Sequence, residues 1–120
     1  MSVPFTFTPE QTKAIYLTAL RVWGSTAQAF MCVEEAGEFL SALNKFRRKR
    51  ITHQTLCEKI ADLQVVLEQL VDVLDQTYPV TFQQAAHTKT PAADLIATIR
   101  NDKLARLSDK LNQVINIDPE

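Results

Sequence analysis

The chain predicts an all-α fold, a four-helix bundle. Three observations lead there. Only two glycines and five prolines interrupt 120 residues, so long helices are the natural state. Apolar residues recur at three- and four-residue steps, most clearly Ile60, Leu63, Leu67, Leu70 and Leu74, which form one stripe on a helix. Strand-like alternation is confined to a short terminal stretch, "VPFTFT". Four helices joined by mostly short links make a bundle the default architecture.

The first helix begins at Thr8-Pro9-Glu10, where a hydroxyl cap, a proline at the first position and an acid suit the positive helix end. It is expected to run to about Trp23 and to break at Gly24, with Ser25 able to cap the next helix. That second helix covers roughly Thr26 to Arg48. "RITHQ" is a polar joint, and Thr52 or Thr55 can cap the third helix, which carries the stripe above. Tyr78-Pro79 ends it. Residues 77 to 91 read as a long loop or a short helix. The fourth helix starts near Pro91 and repeats the pattern with Leu104, Leu107, Leu111 and Val114. The whole is read as a single domain, with residues 1–8 and 115–120 flexible.

Bulk composition excludes several classes. A formal net charge of −1 gives no reason to expect nucleic acid as a partner. No apolar run approaches a membrane span. The start, "MSVPFTFTPEQ", lacks a basic stretch before a long apolar core, so no signal peptide is expected. Cys32 and Cys57 make neither a disulfide framework nor a zinc site and read as buried small hydrophobes in a reduced, cytoplasmic protein. His53 and His87 fall in joints and read as surface residues.

The chemistry lies in the second and third helices. Between Thr26 and Asn44 the only charged side chains are Glu34, Glu35 and Glu38. At about 100° per residue they share an arc of roughly 100°, while Val33, Ala36, Gly37, Leu40 and Leu43 fill the arc looking away. Like charges at three- and four-residue spacing cost a few tenths of a kcal/mol per pair. The neighbours one turn either side, Met31 and Ala42, are uncharged, so the acids look set in a semi-apolar wall. On the third helix Glu58 and Asp62 sit four apart on one face. Two helices that each offer paired carboxylates can converge on a hard divalent ion such as Mg²⁺, or Mn²⁺ in its place. The bland alternative is a pair of solvated acidic faces.

These residues resemble a known family. "EEAGE", followed after 19 residues by "EKIAD", is similar to the E-E-x-x-E, spacer, E-x-x-D signature of the MazG-like, all-α nucleoside triphosphate pyrophosphohydrolases. "WGSTAQ" looks like their lead-in, "IADLQVVLEQL" like their third helix and "DKLARLSDKL" like their closing basic helix. The resemblance covers about Trp23 to Leu111. It implies four or so helices assembled as a homodimer or homotetramer. It also implies Mg²⁺-dependent cleavage of a nucleoside triphosphate between the α and β phosphates. By position, Glu35, Glu38 and Asp62 match the family's metal-binding acids, and Glu34 matches the first acid of the signature.

One position departs. The glutamate expected three before Asp62 is Lys59, and Glu58 is the nearest acid. Three outcomes stay open: Glu58 supplies the ligand after a modest helix rotation, Lys59 holds a phosphate directly, or the site is impaired. In the mechanism so implied, Glu35, Glu38 and Asp62 bind metal, with Glu58 as a further ligand. Glu34 or Glu38 orients or deprotonates the attacking water. Lys103 and Arg106 hold the leaving pyrophosphate, with Lys45 and Arg48 as lesser candidates. The "KFRRKR" run first of all complements a helix C-terminus. Trp23 and Gln28 are candidates to hold the base; a core position is the alternative for the tryptophan. The competing functions are a catalytically weak relative that binds nucleotide or metal, and a helical protein-interaction module.

Overall fold

The computed structural model describes residues 5–77 and 91–115. All the regular structure there is helical: α1 (Pro9–Arg47), α2 (His53–Thr77) and α3 (Ala92–Ile115). The chain divides into two compact units, Met1–Tyr78 and Pro79–Glu120, taken in turn below. No helix among the described residues is long and apolar enough to cross a membrane.

Helix α1 opens as expected, and more firmly. Thr8 Oγ1 accepts from the Gln11 backbone N–H at 3.1 Å, and Gln11 Oε1 accepts from the Thr8 N–H at 2.8 Å. This reciprocal capping box satisfies two backbone donors that a helix start leaves unpaired.

The expected break at Gly24 is a kink inside α1. Gly24 has φ 87° and ψ 164°, a region of backbone space that side chains with a Cβ avoid. Its effect shows in what it lets the chain reach. Ser25 and Thr26 border the same cavity as Val73 and Leu74. Tyr16, eight residues before Gly24 and so about 12 Å along its helix, would lie beyond them if α1 ran straight. Instead Tyr16 meets Glu68. The segment before Gly24 therefore turns back across α2.

The far end of α1 closes with a Schellman motif, the left-handed helix stop. Lys49 N–H bonds to Phe46 C=O and Arg50 N–H to Lys45 C=O, each at 2.9 Å. Lys49 takes the left-handed position, φ 62°, where glycine is the usual occupant. Thr52 then caps α2, its Oγ1 accepting from the Thr55 N–H at 3.1 Å. Contacts pair Glu38 with Lys59 and Cys32 with Val66, so the sequence rises along one helix as it falls along the other. The two are antiparallel.

The seam follows the face the periodicity predicts only in part. On α2 the fully buried apolar residues are Val66 and Val73, joined by Gln69; of the stripe, Leu63 and Leu70 are half-buried and Ile60, Leu67 and Leu74 are exposed. On α1 most of the expected apolar arc is outside: Val33 is 67% exposed and Leu40 64%, while Ala36 is half-buried. The α1 seam instead reads Gln28, Cys32, Glu35, Phe39 and Ala42, all buried or half-buried, at alternating steps of four and three. The α2 seam reads Leu56, Lys59, Leu63, Val66 and Val73. The cause lies in composition. Apolar side chains cover more than one face of α2, so several faces could pack.

Two further expectations need correction or bounding. Cys57 is exposed, and only Cys32 is half-buried; Cys57 sits outside the seam in the second turn of α2. The loop or short helix expected for residues 77 to 91, with His87, lies outside the described residues, as do most of the terminal segments expected to be flexible.

In the second unit, the Pro91 C=O accepts from the Leu95 N–H at 3.0 Å, and Asp94 lies in the first turn of α3, where its charge suits the helix dipole. The expected stripe, with Leu104, Leu107, Leu111 and Val114, is present and exposed.

Candidate functional site

Of the acids on the second and third predicted helices, one, Glu35, lies at the α1–α2 seam. Its Oε1 is shut off from solvent and has no hydrogen-bond partner. Buried carboxylate oxygens without a partner are costly. The charge of Glu35 is correspondingly disfavoured. Burial pushes its pKa up, the neighbouring charges of Glu38, Asp62 and Glu34 add to this, and Lys59 opposes it. Asp62 comes from α2, so carboxylates from both helices act on one position.

Lys59 occupies a seam position of α2 and is half-buried. Its Nζ donates to Glu38 Oε1 across the helices at 3.0 Å. That hydrogen bond, then the charges of Glu38, Asp62 and Glu35, raise the lysine pKa against the opposing effect of burial. Lys59 thus stands inside the acidic group, and the sequence offered a signal for it. Spaced three from Leu56 and four from Leu63, it is the one charged residue among the apolar positions of that stretch.

The other expected site residues are distributed as follows. Glu34, Glu38, Glu58 and Asp62 are exposed. Glu58 is not among the groups that act on Glu35 or Lys59. Gln28 is buried at 3% exposure, its Nε2 donating to Met31 Sδ at 3.9 Å, while Trp23 is 61% exposed. Lys45 is exposed in the last turn of α1, and Arg48 is its C-cap residue. Lys103 and Arg106 are exposed on α3, in the second unit.

A hard divalent cation fits this donor set in part. The ligand atoms are oxygens, they come from two helices, and one is sequestered and unpartnered, which fits such an ion. Among the described residues, no group of three or more His, Cys, Asp or Glu is placed to hold a metal ion as it stands. Lys59 occupies the Glu38 oxygen that a metal would take.

A second polar cluster lies further along α1 and was not foreseen. Tyr16 Oη donates to Glu68 Oε1 at 2.6 Å. Burial, that hydrogen bond, and the charges of Glu68 and Asp72 push the Tyr16 pKa up to about 12. Asp72 is raised by burial and by Asp75 and Glu68, with Lys13 opposing.

No protein-family model, no curated protein and no solved structure matches this chain.

Proposed function

We propose that this chain is a Mg²⁺-dependent nucleotide pyrophosphohydrolase of the MazG-like, all-α kind, cleaving a nucleoside or deoxynucleoside triphosphate to monophosphate and pyrophosphate. The observation that carries this reading is Glu35 Oε1, sequestered and unpartnered where acids of two antiparallel helices converge. A structural helix pair has no use for an orphaned carboxylate at its seam, whereas a ligand for a cation does.

Glu35, Glu38 and Asp62 would hold the ion. When bound, it neutralises phosphate charge and polarises the reacting phosphorus. Glu34, exposed beside them, orients the attacking water and accepts its proton. Lys45 and Arg48, close together at the end of α1, supply positive charge for the departing pyrophosphate. Trp23, largely exposed, is available to stack on a base.

The test is pyrophosphate release from a panel of nucleoside triphosphates, with and without Mg²⁺. Metal-dependent release is expected, lost in Glu38→Ala and in Asp62→Ala while helical circular dichroism is retained. Both residues are exposed, so neither change empties the core. Full activity in both variants would reject the assignment.

Lys59 favours a second reading, a catalytically weak relative that binds nucleotide or metal. That reading gains if no nucleotide is cut yet one of them, with metal, raises the melting temperature.

The reading includes self-association. Val33 and Leu40 on α1, and Ile60, Leu67 and Leu74 on α2, form apolar surface that the helix pair leaves uncovered. A dimer or tetramer is expected by light scattering, and a monomer at all concentrations would count against it.

A further inference from the structure

We propose that Lys59 is an internal counter-cation which a divalent ion must displace from Glu38, so that this lysine sets the metal affinity of the site. The inference rests on the metal site just proposed.

Three observations carry it. The Lys59 ammonium lies 3.0 Å from Glu38 Oε1, and two positive ions cannot share that oxygen without strong mutual repulsion. Its position is not incidental. Lys59 stands half-buried at a seam position between Leu56 and Leu63, and its head group reaches across the helices to Glu38. Finally, one ammonium does not neutralise the group. The charges of Glu35, Glu38 and Asp62 all act on the single Lys59, and Glu35 Oε1 has no hydrogen-bond partner. A doubly charged ion therefore has more to gain there than Lys59, but only by breaking the Lys59–Glu38 pair.

The consequence is a threshold. Metal entry requires the ion pair to open, and the weakness of exposed ion pairs keeps that cost small. Removing the ammonium while keeping the stem lowers the threshold.

The experiment is Mn²⁺ binding to the full chain without nucleotide, read by the electron paramagnetic resonance of free Mn²⁺ and by calorimetry. Lys59→Gln and Lys59→Met are compared with the parent chain and with Arg50→Gln, which removes a cation outside the acidic group. Both Lys59 variants are expected to bind Mn²⁺ about two- to fivefold more tightly, with Arg50→Gln unchanged. Binding in the Lys59 variants that is equal to or weaker than the parent's, or absent in all, overturns the inference. So does an equal gain in Arg50→Gln, which would make the effect one of overall charge. A chain that cuts no nucleotide but shows the Lys59 gain sinks the proposed activity and leaves this inference standing. Metal-dependent cleavage with no Lys59 gain does the reverse.

Discussion

Tyr16 and Glu68, 52 residues apart in sequence, share a hydrogen bond of 2.6 Å between the phenol and a carboxylate oxygen. The contact joins the first segment of α1 to the middle of α2. Tyr16→Phe keeps the ring and removes the donor. A loss of about 1 kcal/mol is expected, measured by urea unfolding. The pH dependence has a definite sign. The Tyr16 pKa is raised to about 12, above the ordinary phenol value near 10. Its stabilising effect is therefore complete below about pH 10 and is lost as pH rises toward 12. The parent chain should lose more melting temperature across that window than Tyr16→Phe does.

Gly24 makes that contact possible. No atom lies within 4 Å of where a Cβ would sit, so Gly24→Ala meets no steric obstacle and its cost is one of backbone conformation alone. At φ 87° and ψ 164° that cost is about 1–3 kcal/mol. The variant should unfold at lower urea. A variant as stable as the parent would mean that the turn-back at Gly24 does not persist in solution.

Lys49 offers the opposite opportunity. It holds the left-handed position of the Schellman motif, which a residue with a Cβ occupies at a cost. Lys49→Gly is expected to stabilise the chain by about 0.5–1 kcal/mol. The increase should appear in the urea midpoint without a change in slope. A loss of stability would argue against this helix stop.

Glu35 links stability to function. Its pKa is raised by burial and by Glu38, Asp62 and Glu34. Its protonated form is thus favoured in the fold. The stabilising contribution is full below the unfolded carboxylate value and is lost as pH rises through the folded one. At neutral pH the ionised group opposes folding. Glu35→Gln should therefore melt higher than the parent at pH 7, with the gain shrinking toward pH 4, and should lose metal-dependent pyrophosphate release. A lower melting temperature at pH 7 would contradict the seam geometry.

What was legible in the sequence is what local chemistry writes. Thr8 and Thr52 cap helices because their hydroxyls meet backbone N–H groups three residues on, a match made within one turn. Gly24 interrupts α1 for an equally local reason, its backbone freedom. The grouping of Glu34, Glu35 and Glu38 on one helix face likewise follows from spacing alone.

The choice of face followed only in part. Ile60, Leu63, Leu67, Leu70 and Leu74 make the cleaner stripe, yet Leu63 and Leu70 are only half-buried while Val66 and Val73 are the buried pair. Periodicity finds apolar surface without saying which part of it meets a partner inside the chain, because that depends on the shape of the opposite helix. The choice of seam carried Glu35 inward and left Val33 and Leu40 outside. It also brought Lys59, which in sequence is only a departure from an acidic motif, onto Glu38. Helix ends and charge spacing belong to the sequence by itself, being settled within a few residues. The company each charge keeps was decided only by packing, where two helices must fit each other over their whole length.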